Sequence, residues 1–503
     1  MDDPLNLSMF RAYDIRTPSG PLTDELAQRL SFAEARYFRE VLDAPGVLLA
    51  RDARSTGPHY LEIAADAYRS AGLDVILIPG VSSTSLFYHA AMRHPKHAAV
   101  MVGASHNPAG DTGRKLLAPG VVPIARGIGP GGGLDRIREF HERGERPAPS
   151  ATRGRIRAED PTDAYIAYSM DLAGVSPGGL EGVRVFQDHL NGAAGREMLL
   201  AFGRAGARLE PFHFEADGRF PLGDPNPVKP SVIAPGLAAL KAGDYRAGMF
   251  FDGDGDRLDI YGGDGRYLSS SFVYAAILPE IRGRFPGPGR GIFADLKCNP
   301  LALIEMARSG VAVDVIRNGH SQIKESLLRD EARFGAVEES AHFYEAFPLD
   351  GARYCTENTL YLALLVARAW SEDPGRFDRL FDIQATTARA REWGYKFPDE
   401  SARDGALEAV RELLEGEGFR SMHRMKNGMD LEATLIRRGL PFDIDESSRL
   451  ERGWLQVCQR TSQSEDGLAR WEVVGDTADD VGRAKRAIAE CARRFGAGDE
   501  YQG

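Results

Sequence analysis

The segment Phe250–Gly263 reads FFDGDGDRLDIYGG and sets three carboxylates, Asp252, Asp254 and Asp256, at alternate positions with a glycine between each pair. A small divalent cation takes hard oxygen ligands, and glycines let the backbone bend around it. An EF-hand loop is excluded: its sixth position would be Arg257 and its twelfth Gly263, and the flanks read as strands. Asp-Gly pairs also form ordinary solvated turns. The closing Arg257 and the apolar strands on either side favour a metal site. A second segment, Ala99–Leu117 (AVMVGASHNPAGDTGRKLL), follows a buried-type strand with Ser105, His106, Asn107 and Pro108, then Lys115. That places a hydroxyl beyond the carboxyl end of a strand, where open α/β sheets gather ligands. No G-x-S-x-G elbow occurs there, which weakens a hydrolase reading. In Phe334–Tyr344 (FGAVEESAHFY), Glu338, Ser340 and His342 alternate, and an extended chain would point all three the same way. Upstream, Asn318-Gly319-His320-Ser321 closes another strand. In Arg460–Glu472 (RTSQSEDGLARWE), Arg460, Ser462 and Ser464 offer a guanidinium and hydroxyls, a usual way to hold a phosphate dianion.

The elements that must position these groups follow a repeat. Three segments, starting at Val47, Val183 and Gly291, each run strand, polar loop, helix, small residues with glycine, strand. Their helices are expected to stop at Gly72, Gly206 and Gly310, where a left-handed residue costs least. Strand–helix–strand in one direction is the unit of a mostly parallel sheet. The spacing is domain-sized, which argues for three related α/β domains and against a solenoid. Seams are expected in the charged, Pro-containing stretch His141–Arg157, near Ser269–Ser271 and near Asp382–Pro398. The last part differs: a helix around Leu407–Glu415, strands from Leu431, Gly453 and Ala469, and a helix over Asp479–Phe495 with two acids in its first turn. The expected fold is therefore α/β: three related domains with mixed, mostly parallel sheets, and a smaller C-terminal α+β domain around one central cleft. The expected domains are 1–155, 156–270, 271–385 and 386–503.

The chain has 503 residues, enough for several cores, with 62 basic against 73 acidic side chains and a formal charge of −11. Hydrophobic residues at 43% exclude wholesale disorder. The acidic balance argues against a nucleic-acid or anionic-membrane footprint over the whole surface. Four scattered cysteines form no CxxC pair, so neither a zinc ribbon nor a disulfide scaffold is expected. No apolar run reaches membrane length and the N-terminus lacks the order of a signal peptide, so a cytoplasmic location is expected.

Taken together, these segments resemble the α-D-phosphohexomutase family, in its phosphomannomutase/phosphoglucomutase branch, over nearly the whole chain. Phe10–Arg16 resembles the FRAYDIR opening, Gly103–Pro108 the phosphoserine loop with Lys115 at its lysine, and Asp252–Arg257 the DGDGDR metal loop. Glu338–His342 resembles the E-x-S-G-H sugar loop and Arg460–Ser464 the R-x-S-x-T phosphate loop. The chain departs from these patterns at Thr17, at Asp111-Thr112, at Ala341 in place of glycine, and at Gln463, Ser464 and Asp466.

The resemblance implies an isomerase that moves a phosphoryl group between C1 and C6 of a hexose phosphate. Ser105 would carry the group, with Mg²⁺ on Asp252, Asp254, Asp256 and the serine oxygen, and a hexose 1,6-bisphosphate as intermediate and activator. His106, Lys115, Arg257, His320 and His342 would serve catalysis, with Lys115, His320 and His342 all open as the base. Tyr13, Arg16, Lys297, Glu338, Ser340, Arg460, Ser462, Gln463 and Ser464 would bind substrate. Mannose phosphates are the expected substrates, with glucose phosphates as the alternative. A metal-dependent sugar-phosphate phosphatase and a non-catalytic sugar-phosphate-binding protein are the other classes. A monomer or homodimer without nucleic-acid or membrane partners is expected.

Overall fold

All three strand–helix–strand repeats form, and in each the two strands pair in parallel. The first joins Gly46–Arg51 to Asp74–Leu77 through the helix Gly57–Ser70. The second joins Arg184–Asp188 to Arg208–Phe212 through Gly195–Arg204. The third joins Gly291–Asp295 to Ala312–Ile316 through Pro300–Arg308. Gly72, Gly206 and Gly310 follow these helices at φ of +86°, +77° and +75°, the left-handed region that stops a helix. The computed structural model describes residues 3–148, 150–462 and 467–502. These residues divide into two compact units, the first holding the chain up to Tyr267 with Gly319–Asp330 and Ala341–Glu372, the second the remainder.

In the first unit, one sheet runs in the order Ile15–Pro18, Asp111–Ala118, Ala98–Val102, Gly46–Arg51, Asp74–Leu77, Ile156–Ala158. It is mixed: the pairings of Asp111–Ala118 are antiparallel and those of Gly46–Arg51 parallel. A second sheet places Ala247–Phe251 parallel to Arg184–Asp188 and antiparallel to Leu258–Gly262. The central strands Ala98–Val102 and Ala247–Phe251 are buried at every residue, as strands covered on both faces must be. The stretch 141–157 is less of a linker than its composition suggests. His141–Arg143 end the helix Gly133–Arg143, and Ile156–Ala158 pairs with Asp74–Leu77. Glu142 and Arg143 are exposed on the last turn of that helix, whose other side buries Ile137, Phe140 and His141.

In the second unit, Gly291–Asp295 lies between and parallel to Ala312–Ile316 and Arg333–Glu338. The C-terminal part is an antiparallel sheet, in the order Arg420–Arg424, Asp430–Arg438, Leu455–Thr461, Leu468–Gly475, Ala388–Lys396, Glu500–Gln502. The helices Glu400–Gly416 and Ala478–Arg493 cover it through Val410, Leu414 and Ile488 against Trp393 and Trp471. Asp479 and Asp480 occupy the first turn of the last helix, where negative charge suits the dipole. Among the described residues no helix is long and apolar enough to cross a membrane.

His189 and His89 are buried as neutral rings in the first unit. His189 stacks on Phe251 with centroids 4.8 Å apart, and burial pushes its pKa down to about 3. Burial, then Arg93, pushes His89 down to about 4. Unfolding lets each ring take a proton, so acid favours the unfolded chain below the free-histidine pKa of about 6.5. Stability is expected to fall on acidification by up to about 1.4 kcal/mol per pH unit per ring. His189→Asn should make the slope of urea stability between about pH 6 and pH 5 shallower by that amount; an unchanged slope contradicts the buried neutral ring.

Candidate active site

The turn between Ala247–Phe251 and Leu258–Gly262 holds Asp252, Asp254 and Asp256, all buried. One oxygen from each lies within 4.8 Å of the others. The glycines make this crowding possible. A Cβ on Gly253 would stand 2.6 Å from the carbonyl oxygen of Ser105, and Gly255, at φ +70°, would meet the Cβ of Ala194 at 2.6 Å. The helix Thr84–Arg93 holds the turn from outside. Thr84 donates its backbone N–H to the Asp254 carbonyl at 2.8 Å and its hydroxyl to Asp254 Oδ2 at 2.6 Å.

Buried carboxylates this close oppose one another. Burial, then Asp254 and Asp256, pushes Asp252 up to about 8. Burial and Asp256 also push Asp254 up, but Lys115 outweighs them and the net direction is down. Asp256 goes down too, with Lys115 prevailing over burial. Lys115 projects from the strand Asp111–Ala118 and contacts Asp254 Oδ2 at 2.6 Å and Asp256 Oδ2. The pair holds its ammonium charged against burial. Its neighbour Arg114 is buried with Glu34 and Ser31, so the alternation of the strand gives each cation its own acidic partner. Asp254 Oδ1 and Asp256 Oδ1 are buried without a hydrogen-bond partner. Three converging carboxylates, two of them with a buried oxygen that has no hydrogen-bond partner, fit a hard divalent cation.

Ser105 meets that turn directly though it lies far from it in sequence. Its φ is +49°, a left-handed conformation that costs a non-glycine residue about 1–3 kcal/mol. Its Oγ donates to Asp252 Oδ2 at 2.7 Å and lies 3.3 Å from His106 Nδ1. Burial, then Arg257 and Arg16, keeps His106 well below the usual histidine range and therefore neutral. Arg16 donates to Asp14 at 2.8 Å and to Asn107 Oδ1 at 2.8 Å, tying the FRAYDIR segment to the serine loop.

Arg257 leads from the acidic turn to the histidines. Its Nε donates to His342 Nε2 at 3.0 Å, and His342 Nδ1 faces Glu357 Oε1 at 2.6 Å. Burial lowers the pKa of His342, but Asp256 and Glu357 raise it and prevail. Lys324 sits 3.3 Å from Glu357 Oε2 and donates to the Tyr88 hydroxyl at 2.7 Å. His320 begins the helix His320–Arg329, with the Tyr13 ring 5.6 Å away edge-on. Its Nε2 is shielded and has no hydrogen-bond partner. Burial, then Lys324, Lys115 and His342, holds it neutral. Thr84, Lys324 and Glu357 carried no motif, because their roles come from packing across long sequence separations. Asp52 and Arg54 also lie beside the serine loop, and their place at the end of a repeat strand was the one available signal.

The second unit holds the other expected binding residues. Glu338 ends the strand Arg333–Glu338, and its Oε1 accepts from Asn318 Nδ2 at 2.6 Å. The extended alternation expected for Glu338, Ser340 and His342 is not found. Residues 339–341 form a turn, and Ala341 takes φ +72° where the resembled motif has glycine, so the three side chains do not share one face. Lys297 lies 3.8 Å from Asp295 and 3.7 Å from Glu392. Arg460 contacts both oxygens of Glu392, at 3.0 and 2.9 Å, and Arg470 joins at 2.7 Å. These cations hold Glu392 ionised against burial. Glu392 and Arg470 lacked a sequence signal; a bulge between Ala390 and Trp393 brings Glu392 to this position. Ser462 continues from the strand, its N–H donating to the Leu468 carbonyl at 2.8 Å. Gln463 and Ser464 lie outside the described residues.

Two family descriptions match the chain: "Phosphoglucomutase/phosphomannomutase, alpha/beta/alpha domain I" over residues 7–127 and "alpha/beta/alpha domain II" over residues 163–265. A phosphomannomutase of Salmonella montevideo is 31% identical over 349 residues, covering 68% of this chain and 74% of its own. The chain belongs to the phosphoglucomutase/phosphomannomutase family. Xanthomonas campestris has a relative named "Phosphohexose mutases", 30% identical over 68% of this chain and 74% of its own. A Burkholderia thailandensis structure of the phosphoglucomutase/phosphomannomutase family shares the fold, with a TM-score of 0.76 at 22% identity over 98% of this chain and 99% of its own. This protein is thus an α/β isomerase of the phosphohexomutase class.

For a phosphohexomutase with this triad, cation binding must displace a proton. Asp252, pushed up to about 8, keeps its proton near neutral pH until a cation offsets Asp254 and Asp256. Titration calorimetry with a divalent cation at about pH 7 should give enthalpies that depend on the buffer's ionisation enthalpy, approaching one proton released, and the dependence should vanish near pH 9. Buffer-independent enthalpies at the lower pH contradict the account. Asp254→Asn should weaken cation binding at least about tenfold, since one charged donor of three is lost.

Proposed function

We propose that this chain interconverts mannose 6-phosphate and mannose 1-phosphate, with Ser105 as the phosphoryl carrier and a hexose 1,6-bisphosphate as intermediate and activator. The observation that carries this reading is the Ser105 hydroxyl 2.7 Å from Asp252 in a buried three-carboxylate turn. In the first half-reaction the P–O bond to Ser105 breaks and a new one forms to the free sugar hydroxyl. The hydroxyl proton passes to a base, and the Ser105 oxygen is left as alkoxide. In the second half-reaction the Ser105 alkoxide attacks the other phosphorus of the bisphosphate, the bond from that phosphorus to the sugar oxygen breaks, and the base returns its proton to the sugar oxygen. Mg²⁺ is the proposed cation: Asp252, Asp254, Asp256 and the serine oxygen would hold it, and it would supply Lewis-acid stabilisation of negative charge on the serine and phosphoryl oxygens.

The chain's own groups divide the remaining work. Lys115 and Arg257 offset charge on the phosphoryl oxygens, which is where phosphoryl transfer needs stabilisation. Of the three bases open from sequence, His320 has the free acceptor. Lys115 is held charged by two carboxylates, and both nitrogens of His342 are engaged, whereas His320 is neutral with an unpartnered Nε2. His320→Gln should lower kcat by about 10²–10⁴-fold, read from steady-state rates; a loss under threefold moves the base elsewhere. Glu338 and Ser340 are proposed to hold sugar hydroxyls. Arg460 and Ser462, with Gln463 and Ser464, are proposed for the non-reacting phosphate, and Tyr13, Arg16 and Lys297 for further contacts. The four-domain division remains our reading, with the first boundary moved past Ala158 because Ile156–Ala158 pairs in the first sheet.

Mannose is favoured by the FRAYDIR segment and by the name of the Salmonella relative. Glucose phosphate turnover by the same site is the second reading, supported by the wider name of the Xanthomonas relative. Rates on mannose 1-phosphate, glucose 1-phosphate and glucosamine 6-phosphate, with Mg²⁺ and a bisphosphate activator, should rank mannose first. Ser105→Ala should abolish turnover with the fold intact. Release of inorganic phosphate in place of the isomerised sugar would identify a phosphatase instead.

A further inference from the structure

Arg54 is 1% exposed, and all five of its side-chain N–H donors are used. Nε donates to Asp52 Oδ2 at 3.1 Å. Nη1 donates to the carbonyls of Asp111, at 3.0 Å, and Pro108. Nη2 donates to the carbonyls of Ser105 at 2.9 Å and Asn107 at 2.7 Å. A guanidinium has five donors in one plane and no acceptor, so this arrangement saturates it. Four of the five acceptors are main-chain carbonyls of the loop that carries Ser105. Without a cation between them, four carbonyl dipoles aimed at one point repel one another.

Asp52 completes the arrangement from the other side. Its Oδ1 accepts the backbone N–H of Arg54 at 2.9 Å, and its Oδ2 accepts the N–H of Ala104 at 3.0 Å. The approach is close enough that a Cβ on Gly103 would stand 2.5 Å from that oxygen. The Phe220 ring lies 5.4 Å from the guanidinium carbon and closes the space around it. The residues on both sides of Ser105 are therefore held, Ala104 by Asp52 and Asn107 by Arg54, with Ser105 between them at its left-handed φ.

We propose that Asp52 and Arg54 are a positioning pair that holds the Ser105 loop in the conformation phosphoryl transfer requires, so that they set the rate of transfer at Ser105 and leave substrate affinity unchanged. This rests on Ser105 as the phosphoryl carrier. Neither residue touches the reacting atoms; both act through the loop backbone. Lysine offers three donors from one point and cannot serve four separated carbonyls, so it restores charge without the fork.

Wild type, Arg54→Lys and Arg54→Met are compared in steady state and in a single turnover of enzyme first phosphorylated with a hexose 1,6-bisphosphate. Misplacement by about 1 Å can cost about 10²-fold in rate, so Arg54→Met should lose about 100-fold in kcat with KM within about threefold. Arg54→Lys should lose at least about tenfold, and the single-turnover transfer rate should fall by the same factors. Rates are normalised to the folded fraction from thermal melts; if the methionine variant does not fold, the lysine variant decides. Arg54→Lys within threefold of wild type in both rates overturns the proposal, as does a loss confined to KM. Wild type that never becomes phosphorylated on Ser105 overturns the carrier reading instead, and the pair's role with it.

Discussion

Three buried carboxylates with oxygens within 4.8 Å of one another repel by about 3 kcal/mol per pair at the effective dielectric of a protein interior. Such a turn survives only if cations are brought to it, and much of the surrounding structure does that. Lys115 spans Asp254 and Asp256, and Arg257 lies 3.7 Å from Asp252. Two positive charges against three negative ones leave a deficit of one, which a proton on Asp252 or a bound cation makes up. Burial, then Asp254 and Asp256, raise the Asp252 pKa where Lys115 brings those of its two neighbours down. The same arithmetic makes the turn a fit for a divalent ion.

Sheet topology delivers the groups. Asp52, Ser105 and Asp252 each follow the carboxyl end of a buried strand: Gly46–Arg51, Ala98–Val102 and Ala247–Phe251. In each sheet those strands run parallel to a neighbour, so the loops that leave them emerge on one edge. Glycines at 253 and 255 let the acidic turn approach the serine loop at main-chain distance. His342 comes from a distant stretch of the chain, Arg257 ties it to the turn, and Glu357, itself paired with Lys324, holds its other nitrogen. The formal charge of −11 therefore says little about the site, where acidic side chains are enclosed by basic ones.

Much of this was legible in the sequence, for physical reasons that differ by element. The three repeats could be read because each helix must stop at a residue that tolerates positive φ, and Gly72, Gly206 and Gly310 do so. The acidic turn could be read because three carboxylates at alternate positions, with glycines between them and apolar strands on either side, must converge where the chain reverses. Partners across the fold could not be read. Glu357 orients His342, and Glu392 gathers Lys297, Arg460 and Arg470, through contacts between residues up to 95 positions apart. The alternation at Glu338, Ser340 and His342 misled, because periodicity says nothing about a turn that Ala341 forms at φ +72°. Arg54 looked like any charged residue after a strand; its five acceptors are almost all backbone, which carries no side-chain identity to recognise.

The central claim is that Ser105 carries the phosphoryl group. Peptide mapping by mass spectrometry, after the protein is mixed with Mg²⁺ and a hexose 1,6-bisphosphate, tests it most directly. The account predicts the mass of one phosphoryl group on the peptide containing Ser105 and on no other, removed again when excess hexose monophosphate is added. A protein that isomerises hexose phosphate while that peptide stays unmodified would contradict it.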